Sequence, residues 1–120
     1  MLAVAPPGLT LQGDRLQLEQ ALGNLLDNAR RHAPQGSRVT LEVRERSGHL
    51  RTTVADRGGG VAPEHLPRIW DRFFTTEAAS GGTGLGLAIV AAVVRAHGGE
   101  VGVDGTPGEG TRFWFSLPAT

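Results

Sequence analysis

Three features of the sequence predict an α+β fold in two layers. Apolar residues recur with period two in some segments and at helical spacing in others. The strand patterns are joined by a hairpin and long crossovers, which excludes the regular alternation of a parallel α/β fold. The glycine clusters fall between well-patterned apolar segments, at Gly58–Gly60, Gly81–Gly86, Gly98–Gly99 and Gly102–Gly110.

The elements follow in order. Residues 1–8 read as a Pro/Gly-containing lead-in, and Leu9 and Leu11 alternate with Thr10 and Gln12 as a short strand. Asp14, three residues before Gln17, resembles a helix-capping box. A helix follows, with Leu18, Leu22, Leu25 and Ala29 on one stripe and Ala21 and Leu26 at its edges, until Pro34 and Gly36 stop it. Val39, Leu41 and Val43, then Leu50, Thr52 and Val54, alternate around a Ser47-Gly48 turn and predict a hairpin over 38–55. Residues 56–84 carry two glycine clusters, two proline-marked turns and one aromatic patch. A second helix starts near Leu85, with Leu85, Ile89, Ala92, Val93 and Ala96 as its expected buried face and His97-Gly98-Gly99 as its stop. Val101 and Val103 predict a strand, Thr106-Pro107-Gly108 a turn, and Phe113, Phe115 and Leu117 a last strand. With no internal repeat and no linker, the expectation is a single domain over 1–120 with a core from about 9 to 118.

Composition excludes several classes. Twelve basic and twelve acidic side chains balance to zero, and their scatter leaves no concentrated basic footprint for nucleic acid. There are no cysteines, so disulfides and thiolate metal sites are excluded, which fits a reducing compartment. No apolar run approaches the roughly 20 residues that span a bilayer. The first eight residues have no charged region before an apolar stretch, so they do not read as a signal peptide. Glycine is the outlier, at 18 of 120 residues, and its clustering points to backbone brought close to something or left free to move.

Four constellations carry possible chemistry. Asn24, Asn28 and Arg31 share a helical stripe about 120° from the apolar one. Two amides and a guanidinium there suit Mg²⁺ and phosphate oxygens, although a solvated face explains the pattern as well. Asp56-Arg57-Gly58-Gly59-Gly60 follows a strand. A carboxylate accepts from a planar donor such as the adenine amine, although an Asp-Gly turn explains the pattern as well. Gly81-Gly82-Thr83-Gly84-Leu85-Gly86-Leu87 feeds a helix N-terminus, where free N–H groups favour an anion such as a polyphosphate; a plain linker is the alternative. No Gly-Lys-Ser/Thr follows, and the third glycine of a dinucleotide fingerprint is replaced by Ile89. Ile69-Trp70-Asp71-Arg72-Phe73-Phe74 reads as a core anchor compatible with a hinge, and the polar, glycine-rich stretch 75–84 has the composition of a mobile lid.

Taken in this order, the motifs resemble those of sensor histidine kinases. Asn24-Leu25-Leu26-Asp27-Asn28-Ala29 is similar to the family's asparagine box and Asp56-x-Gly58-x-Gly60 to its first glycine box. Ile69 to Phe74 resembles the phenylalanine box, Gly82 to Leu87 the second glycine box, and Gly110-Thr111-Arg112-Phe113-Trp114-Phe115 the closing segment. The resemblance implies a Bergerat-type ATP fold, a mixed sheet of about five strands with three helices on one face. By position it implies that Asn28 coordinates Mg²⁺, with Asn24 near the same phosphates and Arg31 on the terminal ones. It implies that Asp56 binds the adenine amine, assisted by Thr111 through water. Gly58 and Gly60 permit close passage of the chain, and Gly82, Thr83, Gly84, Leu85, Gly86 and Leu87 wrap the phosphates.

Three positions depart from that pattern, the first being Trp70, which stands where the phenylalanine box usually has Phe. His32 stands where the family often has Tyr, and an imidazole stacks more weakly beside the nucleotide. Glu77 stands where Lys is common and repels phosphate, leaving Arg72 as the lid cation.

The resemblance further implies phosphoryl transfer to a histidine on a separate dimerisation domain, a response regulator as downstream partner, a cytoplasmic location, and neither nucleic acid nor membrane contact by this domain. His32 and His97 end helices and His49 and His65 lie in turns, so none reads as the phosphoacceptor. Nucleotide binding with little autophosphorylation is expected of this chain, with further helices upstream of Met1 in a longer protein. Three rivals remain: a hydrolytic ATPase of the same superfold, which needs a glutamate where Asn24 stands; a serine kinase acting on anti-sigma-type partners; and a non-enzymatic nucleotide sensor.

Overall fold

The computed structural model describes residues 2–4, 13–58, 63–72, 85–105 and 110–119. Five strands form one sheet, β1 (Leu2–Val4), β2 (Thr40–Arg46), β3 (His49–Asp56), β4 (Glu100–Gly105) and β5 (Thr111–Pro118), in the order β1-β2-β3-β5-β4. The four long strands are antiparallel to their neighbours, and the three-residue β1 adds a parallel pairing at the edge. Two α-helices, α1 (Arg15–His32) and α2 (Gly86–Ala96), pack against each other and against the sheet.

The α+β architecture therefore holds, but its inventory is corrected. Among the described residues there are two α-helices and a single 3₁₀ turn at Pro63–His65, not three helices. The lead-in was also misread, since Leu2–Val4 pairs with Thr40–Glu42. The strand expected at Leu9–Leu11 and the turn at Thr106–Gly108 lie outside the described residues.

Local chemistry sets the boundaries. Asp14 Oδ1 accepts from the Gln17 N–H at 3.1 Å and caps α1. Arg30, Arg31 and His32 crowd its last turn, where cations oppose the helix dipole. Ser47 and Gly48 both take positive φ, 52° and 78°, as the tight two-residue turn between β2 and β3 requires.

Alternation along β3 and β5 defines the covered face. Leu50, Thr52, Val54 and Asp56, and opposite them Leu117, Phe115, Phe113 and Thr111, are all buried. Ala21, Leu25 and Ala29 of α1 and Val90 and Val94 of α2 complete the core. The buried face of α2 is thus Val90, Ala91 and Val94, whereas Ala92 and Ala96 are exposed. This corrects the expected face by about one residue's rotation. Trp70 packs edge-on against Phe113 at 5.9 Å and Ile69 is buried, so this part of the aromatic patch anchors the core. Phe73, Phe74 and the expected lid, 75–84, lie outside the described residues.

Candidate functional site

The covered face of the sheet ends in a carboxylate. Asp56 is the last residue of β3, and the same alternation that buries Val54 leaves Asp56 only 6% exposed. Its Oδ1 accepts from the Gly58 N–H at 2.7 Å, while its Oδ2 is buried without a hydrogen-bond partner. Burial pushes the Asp56 carboxyl above its ordinary value, opposed in part by the Gly58 N–H and by the charge of His32. Thr111, directly across the β3–β5 ladder, is buried beside it.

The last turn of α1 closes against this strand end. A Cβ on Gly58 would lie 2.6 Å from the His32 carbonyl oxygen and 2.9 Å from Asp56 Oδ1, so the chain passes here only as glycine. One turn before His32, Asn28 is also only 6% exposed, and its Nδ2 has no partner. Helical spacing had placed Asn28 on a flank of α1 away from the apolar stripe; the structure buries it beside Ala29. An orphaned polar atom in the interior costs roughly 1–3 kcal/mol, so an unpaired donor on Asn28 and an unpaired acceptor on Asp56, on elements that pack together, make this a candidate ligand site. No group of three His, Cys, Asp or Glu side chains suited to a metal occurs among the described residues.

One turn further back, the Asn24 amide donates to the Gly86 carbonyl at 3.4 Å, tying α1 to the first residue of α2. Leu85 precedes that helix, and the partly buried Leu87 side chain packs on the core. Arg31 and Arg72 are exposed. Gly60, Gly82, Thr83 and Gly84 lie outside the described residues. The structure thus gathers Asn28, His32, Asp56, Gly58 and Thr111 at one corner, with Asn24 and Gly86 one helical turn along.

Gly110 also belongs to this corner, and the sequence reading gave it no role. It has φ 97°, and a Cβ there would meet the Asp56 carbonyl oxygen at 2.3 Å. Its signal was a glycine directly preceding a strand. A separate cavity of about 450 Å³ reaches Asp56 and Thr111 but not Asn28; its walls include Thr40, Ala55 and Arg112 of the sheet's uncovered side.

Residues 13–120 match the family described as histidine kinase-, DNA gyrase B-, and HSP90-like ATPase. The chain belongs to that family. Within it, similar proteins include sensor kinases. The sensor-like histidine kinase SenX3 of Mycobacterium tuberculosis is 43% identical over 119 residues, covering 96% of this chain and 29% of SenX3. The chain therefore spans under a third of that relative. The solved structure of the mycobacterial sensor histidine kinase MprB has a TM-score of 0.87 at 35% identity, over 98% of this chain and 79% of that one. Full-length ShkA in complex with AMPPNP gives 0.86 at 39% identity, over 99% and 25%. The chain is an ATP-binding domain of the histidine-kinase type.

Proposed function

We propose that residues 1–120 form one catalytic domain that binds Mg-ATP at the Asp56–Asn28 corner and offers its terminal phosphate to a histidine on a separate dimerisation domain. The observation that carries this reading is the pair of buried orphans, Asp56 Oδ2 and Asn28 Nδ2, at the junction of β3 and α1. An ionised Asp56 Oδ2 has only lone pairs to offer, which matches the exocyclic amine of adenine and mismatches a carbonyl. Thr111 stands beside it to hold a bridging water. Gly58 and Gly110 keep side chains out of the base's way, and Gly60 would permit close passage of the chain.

At the other end, the Asn28 amide can turn its oxygen to Mg²⁺ and its Nδ2 to a phosphate oxygen. Bound Mg²⁺ would neutralise charge between the phosphates. Gly82 to Leu87 would present backbone N–H groups to the phosphates, and Arg31 and Arg72 would meet the terminal ones from outside. His32 would stack beside the nucleotide. Transfer needs positioning and charge neutralisation more than covalent help.

Hydrolysis is disfavoured by Asn24. That amide is engaged with Gly86 and has no basic group to activate water. The partners of this reading are ATP, the protein's own dimerisation domain and a response regulator, in the cytoplasm. No helix among the described residues is long and apolar enough to cross a membrane.

Calorimetry on the chain tests binding: Mg-ATP should bind and Mg-GTP should not. Mixing with a helical dimerisation domain and radiolabelled ATP tests transfer. Acid-labile label on that domain supports the reading; acid-stable label indicates a serine kinase, and binding without label a nucleotide sensor.

A further inference from the structure

The function proposed above leaves His97 unused, yet both of its ring nitrogens are engaged. Nδ1 lies 2.8 Å from the Val93 carbonyl oxygen, one turn back in α2. Nε2 lies 3.0 Å from the backbone nitrogen of Asp14, the residue that caps α1. A carbonyl only accepts and an amide N–H only donates. The two contacts fit the tautomer with its proton on Nδ1, whose Nε2 lone pair receives the Asp14 N–H.

Packing enforces the same junction. A Cβ on Gly13 would lie 2.7 Å from His97 Cδ2, 2.9 Å from Leu18 Cδ1 and 3.0 Å from His97 Nε2, so a side chain here would have to displace the ring and Leu18. The ring is in turn held by the end of α2. Gly98 takes φ 79°, and the Gly98 and Gly99 N–H groups donate to the Arg95 and Val94 carbonyls. A Cβ on Gly99 would meet the Ser116 carbonyl oxygen at 2.1 Å, pressing this end of α2 against β5.

α2 is thus tied to α1 at both ends, by Asn24 to Gly86 at the candidate site and by His97 to Asp14 at the other end. Eleven residues of helix, about 16 Å, separate the two ties. We infer that His97 is a positioning residue which couples nucleotide occupancy at the start of α2 to the geometry with which the chain enters α1. The inference rests on the proposed ATP site. A helix transmits a small displacement at one end to the other because its ladder of hydrogen bonds is stiff. At the far end, the contact of the Asp14 N–H with His97 converts that displacement into a made or loosened bond.

The coupling is reciprocal, which makes it measurable from both sides. Imidazole ¹⁵N resonances of the chain should show His97 protonated at Nδ1 and bare at Nε2. Hydrogen exchange at the Asp14 amide should slow about fivefold when Mg-ATP saturates the chain. His97→Asn keeps a donor near Val93 but has no acceptor to reach Asp14. It should weaken Mg-ATP binding by the same factor by which Mg-ATP protects Asp14 in the native chain. His97→Gln places an amide oxygen near the former Nε2 and should restore most of both effects. Gly13→Ala, with His97 intact, should reproduce His97→Asn, and thermal melts establish that each variant is folded. Unchanged Asp14 exchange in a chain that binds Mg-ATP overturns the coupling and leaves the ATP site standing, as does equal behaviour of the Asn and Gln variants. A native chain that binds no Mg-ATP overturns both.

Discussion

Asp56 and Asn28 are equally buried, and each carries an atom with no partner, but they are held in different ways. Asp56 is fixed by backbone: the end of β3, the Gly58 N–H, and glycines at 58 and 110 that admit nothing larger. Asn28 is fixed by a helix, buried with Leu25 and Ala29 of α1. The first is a charged acceptor in a place that disfavours charge; the second is a neutral amide whose oxygen and nitrogen exchange places by a simple flip. The difference suits the proposed division, with base recognition at the rigid carboxylate and the phosphate–metal end at the adaptable amide.

Asp56→Asn tests this most severely. The amide keeps the size and offers either a misplaced donor or a single acceptor, depending on its flip. With a buried mismatch worth about 2–3 kcal/mol, ATP affinity should fall roughly 30- to 150-fold. Calorimetry reads this directly, and a loss below threefold would remove Asp56 from base recognition. Gly58→Ala attacks the same end through the backbone. Its methyl must displace the His32 carbonyl or Asp56 Oδ1. The variant should lose about 1–3 kcal/mol of stability as well as affinity, and a thermal melt alongside the titration separates the two.

Asn28→Ala should act on the other end and more gently. The ratio of ATP affinities with and without Mg²⁺ should fall to about one, while stability changes by less than about 1 kcal/mol, because the lost packing is offset by removal of an orphaned donor. If Mg²⁺ still strengthens binding in that variant, the metal is held elsewhere.

The same contrast explains what the sequence made legible. In α1, polar residues bracket the apolar stripe, so the buried Ala21, Leu25 and Ala29 could be read from spacing. In α2 the run Leu87-Ala88-Ile89-Val90-Ala91-Ala92-Val93-Val94 is apolar all round, so periodicity could not choose between its faces. Packing against α1 and β4 chose Val90, Ala91 and Val94. The β2–β3 hairpin was legible because Ser47-Gly48 supplies its turn chemistry locally. β1 was not, because a three-residue strand has no periodicity of its own and exists through its pairing with Thr40–Glu42. The motif residues pointed to the candidate site by type and order, but the burial of Asn28 and the closure of Gly110 over Asp56 are tertiary facts.

The smallest expected effect concerns pH. Burial raises the Asp56 carboxyl in the folded chain above its value in the unfolded one. Between those two values the folded state binds more protons, so stability falls as pH rises through that window and the deficit persists above it. Below the unfolded value both states are protonated and there is no penalty. Asp56→Asn has no such proton to lose. Its melting temperature relative to the native chain should therefore be higher at neutral pH than at acid pH, even as its ATP affinity collapses. Native ATP affinity should move the opposite way, weakening as the carboxylate protonates and its lone pairs are withdrawn. A carboxylate kept charged at a cost in stability, and released from that cost by a ligand amine, is what base recognition at this strand end requires. A native chain and an Asp56→Asn variant whose stabilities run parallel with pH would mean that Asp56 is already satisfied without the nucleotide.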